Sequence, residues 1–111
     1  MRLAYAIKYV ADMDKTVAFH RDVLGHNLKF QSPFWSEFAT GETTLALHAA
    51  SDEHSPGSVQ LGFAADNLAE FYDRRDVLGL SFTQPPTEMH GVHIALLRDI
   101  DGVETSVSGP V

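Results

Sequence analysis

The chain has 111 residues, 15 of them acidic and 8 basic, giving a formal charge of −7, with 44% hydrophobic residues and no cysteine. That length and apolar content suffice for a buried core without disulfide or metal staples, and thiolate zinc sites and cysteine nucleophiles are excluded outright. The acidic balance argues against nucleic acid or an anionic membrane surface as a partner, because both require net Lys and Arg. The apolar runs are far below a membrane span, and the first residues are too short and polar for a secretory segment, so a cytoplasmic location is expected.

Residues 3–10 are an apolar segment suited to a strand. Asp12 follows as a helix N-cap, and Val17, Phe19, Val23 and Leu24 supply a mainly helical apolar face. Gly25 stands where a left-handed residue would end that helix. Strands are predicted over 27–31, 35–39 and 43–49, with Thr40-Gly41-Glu42 as a hairpin turn. The polar stretch 51–57, with Pro and Gly, reads as a linker.

The same order then recurs. A strand is predicted over 59–65, then Asp66 or Asn67 as N-cap. Leu68, Phe71, Tyr72 and Leu78 form the helical face, and Gly79 ends it. Strands 80–83, 93–97 and 104–107 complete the set, the last two joined at Asp101-Gly102. The recurrence is also one of identity: Arg21-Asp22-Val23-Leu24-Gly25 returns as Arg75-Asp76-Val77-Leu78-Gly79, and Ala-Asp precedes each copy at Ala11-Asp12 and Ala65-Asp66. Self-similarity of this kind marks two copies of one supersecondary unit. The expected fold is α+β, two tandem βαβββ modules, rather than a doubly wound parallel sheet. One domain over 1–111 is expected, made of module 1–50, linker 51–57 and module 58–111.

These residues carry a resemblance. The run from Tyr9 to Gly25, the paired segments Trp35-Ser36-Glu37-Phe38-Ala39-Thr40-Gly41 and Leu45-Ala46-Leu47, then Gln84-Pro85-Pro86-Thr87-Glu88 and Arg98-Asp99-Ile100-Asp101-Gly102, resemble the vicinal oxygen chelate superfamily. That superfamily includes glyoxalase I, extradiol dioxygenases, epimerases, fosfomycin-modifying transferases and bleomycin-binding proteins. The resemblance implies a curved mixed sheet around a cavity, often completed across a homodimer.

In the catalytic members two side chains from each module, His or Gln and Glu, hold a divalent metal such as Zn, Ni, Fe or Mn. Carried onto this sequence, those positions are Tyr5, Ala46, Gln60 and Ser106. A phenol, a methyl, an amide and a hydroxyl do not replace two imidazoles and two carboxylates, so no metal and no cofactor is expected. The alternative is one divalent metal at a displaced site, or a metal-free acid–base pair. His48 shares a face with Ala46 by the strand period of two, and Glu104 shares one with Ser106. His93 lies where relatives often place a cavity-facing polar residue. Glu88-x-His90-x-x-His93 is not read as a metal motif: Pro85, Pro86 and Gly91 oppose a helix, and strand residues three apart face opposite ways.

Among the remaining candidates, His20 reads as a surface or helix-packing residue, His26 as a helix-end residue and His54 as part of the linker. Trp35 is weighed equally as a stacking surface for a planar ligand and as ordinary core or dimer packing. The expected ligand-contacting set is Tyr5, Trp35, Ala46, His48, Gln60, His93 and Ser106, with His48, His93 and Glu104 as candidate catalytic groups. Two functions follow: a metal-free binding protein for an aromatic or cationic small molecule, resembling the bleomycin-resistance branch, or a lyase, isomerase or dioxygenase-type enzyme.

Overall fold

The computed structural model describes all of residues 1–111. The chain forms two compact units, one of residues 4–60 and the other of residues 1–3 with 61–111. In chain order the first set of elements is β1 (Arg2–Val10), α1 (Met13–Ala18), a π-helical turn (Phe19–Val23), β2 (Asn27–Phe30), β3 (Trp35–Ala39) and β4 (Thr44–Ala49). The second is β5 (Val59–Ala64), α2 (Leu68–Asp73), α3 (Arg75–Leu78), β6 (Ser81–Met89), β7 (Val92–Arg98) and β8 (Glu104–Ser108).

The two sets share one topology. Strand order is β2-β3-β4-β1 in the first and β6-β7-β8-β5 in the second. In each, the opening strand lies parallel to the closing one, β1 with β4 and β5 with β8, while the intervening neighbours are antiparallel. Two mixed βαβββ modules are therefore present, as the internal repeat implies. No helix is long and apolar enough to cross a membrane.

Local chemistry explains the shared frame. Asp12 caps α1 by accepting from the Lys15 N–H at 3.0 Å, and Asn67 caps α2 by accepting from the Glu70 N–H at 3.0 Å. Both oxygens meet donors that the first helical turn leaves unpaired. α1 buries Met13 and Val17 against Val10, Phe38 and Leu47; α2 buries Leu68 against Ala95, Leu97 and Val107. Each helix thus covers one face of its own sheet.

The two copies of Arg-Asp-Val-Leu-Gly both finish a helix, and both glycines are left-handed, φ 75° at Gly25 and 69° at Gly79. Their winding differs. Gly25 lies thirteen residues after its N-cap and Gly79 twelve after its own. The extra residue is accommodated by the π-helical turn, where the Leu24 N–H reaches back to the Phe19 carbonyl.

β6 is the main departure from the sequence expectation. The strand predicted over 80–83 continues to Met89, through Pro85 and Pro86. It does so at the end of the strand order, with register shifts between Phe82 and Gln84 and between Gln84 and Thr87. Successive N–H groups of a strand point to opposite sides, so the outer edge accounts for one missing donor; the register shift accounts for the other, and there Gln84 Nε2 donates to the Ile94 carbonyl at 3.3 Å. The β6–β7 hairpin then turns at His90 and Gly91, both with positive φ (53° and 85°).

Gly109 marks a close backbone approach. A Cβ there would stand 2.3 Å from the Ala65 carbonyl oxygen, and that oxygen is main chain and cannot swing aside. Gly109→Ala is expected to lower stability by about 1–3 kcal/mol, read as a lower urea midpoint at unchanged slope.

Candidate functional site

In residues 4–60 the sheet face turned away from α1 is built by strand alternation. Tyr5, Ile7 and Tyr9 on β1 line up with Ala46 and His48 on β4 and with Trp35 and Glu37 on β3, through the partners Ile7–Ala46, Tyr9–His48, Trp35–His48 and Glu37–Ala46. Ile7, Tyr9 and Ala46 form a buried patch with Tyr5, Trp35 and Ala50 packed beside it. The rings adjoin one another. Tyr5 meets Trp35 at 6.1 Å between centroids, Trp35 meets His48 edge-on at 5.9 Å, and His48 meets Tyr9 at 5.0 Å. His54, from the connection before β5, stacks on Tyr9 at 4.2 Å with planes 7° apart.

Polar contacts fix these rings. The Tyr9 hydroxyl donates to Gln60 Oε1 at 2.9 Å, and the Trp35 indole N–H donates to Glu37 Oε2 at 2.8 Å. Lys29 Nζ lies 3.9 Å from the other Glu37 oxygen. Ser32 clamps the Trp35 backbone from both sides, accepting from its N–H and donating to its carbonyl. His48 Nδ1 lies 2.7 Å from the Ala49 carbonyl. The face is an aromatic surface whose rings are held by hydrogen bonds.

Of the expected ligand-contacting residues, Tyr5, Trp35, Ala46 and His48 share this face, and Gln60 is tied to it through Tyr9. Tyr9, Glu37 and His54 belong to it as well, although the sequence reading did not single them out as site residues. The two-residue strand period places Tyr9 beside Tyr5, and Glu37 beside Trp35; nothing periodic marks His54.

In residues 61–111, Ser106 lies on β8 on the face opposite Val107, and Val107 packs on α2. Glu104 shares the Ser106 face and accepts from the Thr83 hydroxyl at 3.2 Å. His93 does not share it. Ala95 and Leu97 pack toward α2, and alternation along β7 puts His93 on their side. Of the candidate catalytic groups, His93 and Glu104 therefore cannot act as an acid–base pair, which is a correction to the expectation, since the β7–β8 sheet separates them. His90 sits in the hairpin turn, away from either face.

The residues present do not fit a divalent metal. Gln60 already accepts through its side-chain oxygen, Ala46 has no donor, and no group of three His, Asp or Glu side chains is arranged to hold an ion.

A second histidine cluster lies on the α1 side of residues 4–60. His20, in the π-helical turn, is buried (7% exposed), and its Nδ1 is 3.2 Å from Nδ1 of His26. Phe38 packs against both imidazoles, at 5.5 and 6.3 Å. His20 Nε2 is buried with no hydrogen-bond partner. Burial lowers the His20 pKa below its ordinary value, and His26 and Lys8 add repulsion to the charged form.

A model of the Glyoxalase/Bleomycin resistance protein/Dioxygenase superfamily matches residues 2–107. Several solved structures are similar over nearly the full chain. A hypothetical protein from Bacillus halodurans has a TM-score of 0.81 at 15% identity, covering 99% of this chain and 94% of its own. Methylmalonyl-CoA epimerase from Mycobacterium tuberculosis has a TM-score of 0.79 at 20% identity, with 98% and 87% covered. A glyoxalase/bleomycin resistance protein/dioxygenase superfamily member from Vibrio splendidus has a TM-score of 0.76 at 15% identity, with 97% of each covered. At these identities the likeness is one of fold. No curated protein sequence is significantly similar to the chain.

Proposed function

The chain belongs to the Glyoxalase/Bleomycin resistance protein/Dioxygenase superfamily, and we propose that within it the chain is a metal-independent small-molecule binding protein, resembling the drug-sequestering branch. The observation that carries this reading is the ring surface of Tyr5, Trp35 and His48, built around Tyr5 and Ala46, two of the positions where catalytic relatives would need metal ligands. Apolar and aromatic walls with a few fixed polar groups are the usual make-up of a small-molecule site. A net charge of −7 favours approach of a neutral or cationic ligand over an anionic one. A homodimer is part of the same proposal, and sedimentation equilibrium tests it.

Indole serves as the probe, titrated by calorimetry into protein dialysed against EDTA. Binding should survive the chelator. Trp35→Ala and Tyr5→Ala should each weaken it by roughly tenfold through loss of stacking and buried area. Binding that disappears with EDTA and returns with Zn or Mn, while both variants behave like the parent, would favour a displaced metal site and overturn the reading.

A further inference from the structure

We infer that the ligand of this aromatic face is a planar ring, neutral or cationic, carrying an N–H or O–H group that it donates to Nε2 of His48. The inference rests on the reading of the face as a binding surface and goes on to name the ligand's chemistry.

The hydrogen bonds determine which groups the face can offer. His48 Nδ1 lies 2.7 Å from a backbone carbonyl, which can only accept. The proton of the neutral imidazole is therefore on Nδ1, and Nε2 carries the lone pair. The protein supplies no donor to that nitrogen. The neighbouring ring donors are both occupied: the Trp35 indole N–H by Glu37, and the Tyr9 hydroxyl by Gln60. A ligand lying among these rings thus meets an acceptor at His48, while the Trp35 and Tyr9 donors are already engaged.

Shape and charge narrow the class further. Trp35 meets the His48 ring edge-on at 5.9 Å and Tyr5 adjoins Trp35 at 6.1 Å, so a group reaching Nε2 brings the rest of its molecule against aromatic surface. Tyr9 is itself buried, at 4% exposure with His54 stacked on it, so the ring surface left for a ligand beside His48 is that of Trp35 and Tyr5. The Glu37 carboxylate at the Trp35 indole N–H opposes an anionic ligand by its charge, which Lys29, 3.9 Å away, offsets only in part. An acceptor-only ring would leave His48 desolvated without a partner, which carries a penalty.

The test compares indole with N-methylindole, which keeps the ring and lacks the donor, and with benzoate, an anion. Binding is followed through the Trp35 indole N–H resonance of isotope-labelled protein, a unique signal because the chain has one tryptophan. Indole is expected to bind roughly tenfold more tightly than N-methylindole, and benzoate most weakly. His48→Phe should retain N-methylindole binding and abolish the preference; His48→Gln, which restores an accepting oxygen, should recover part of it. Equal binding of indole and N-methylindole to the parent protein would overturn the inference and leave the binding reading standing. Tightest binding of benzoate would overturn it on charge. If none of the three moves the resonance, the binding reading falls as well. The parent comparison decides the matter even if His48→Phe does not fold.

Discussion

Phe38→Ala is expected to be the most destabilising single substitution in the first module, by about 3–5 kcal/mol. Phe38 is fully buried, at 0% exposure, between α1 and the sheet, and its cluster includes Val10, Met13, Val17 and Leu47. Truncation removes the ring's burial and leaves a cavity that the β3–β4 pairing cannot close, because Phe38 is held in register opposite Leu45. The same ring packs on His20 and His26, so its loss also admits water to the buried His20 nitrogen. A urea titration should show a much lower midpoint, and Phe38→Leu should recover most of the difference. A Phe38→Ala protein within about 1 kcal/mol of the parent would mean that this core is far more compliant than close packing allows.

Acid should weaken the fold through His20 before it reaches the carboxylates. The imidazole is neutral in the folded chain because burial disfavours its charged form, with His26 and Lys8 adding to the effect. The unfolded chain takes up the proton first, near the ordinary value of about 6.5. Stability is therefore full above that pH and declines as the pH falls toward the lower folded value. Asp22, held low by its hydrogen bond to Arg21, acts in a separate and more acidic window, below the ordinary carboxylate range. Denaturant midpoints measured from pH 7.5 down to pH 5 isolate the histidine contribution. His20→Phe should match or exceed the parent at pH 7.5, since it removes an unpartnered buried nitrogen, and should flatten the decline below pH 6.5. An unchanged slope in that variant would assign the acid sensitivity to other groups.

Much of the fold was readable because the chain states one design twice, once in each module. Most strand limits fall within a residue of those expected from apolar alternation, and both capping residues lie where the pattern breaks. β6 was not readable beyond Thr83, because proline opposes a strand unless its unpaired side faces outward, and position within a sheet is not a local property. The π-helical turn escaped for a related reason: a surplus residue can be accommodated as a wider turn or a longer loop, and tertiary packing decides which.

The candidate site was legible in part. The two-residue period links Ala46 and His48 to one face of β4, and the resemblance adds Tyr5 to it; α1 covers the other face. For His93 only the resemblance suggested a face, and the period could not check it, because Ile94, Ala95, Leu96 and Leu97 form an unbroken apolar run in which neither parity stands out. Contacts made by residues outside regular elements, such as His54 on Tyr9, leave no periodic trace at all.

The prolines of β6 also bear on how the protein behaves in concentrated solution. A terminal strand normally presents a row of amide donors and carbonyl acceptors onto which another chain can add. At Pro85 and Pro86 the outward row of donors is interrupted, and the register shifts beside them break the even spacing that a joining strand would need. That border of the sheet is a poor template for self-assembly: the prolines and the shifted register interrupt its amide row, and the exposed Glu88 adds a charge near its end.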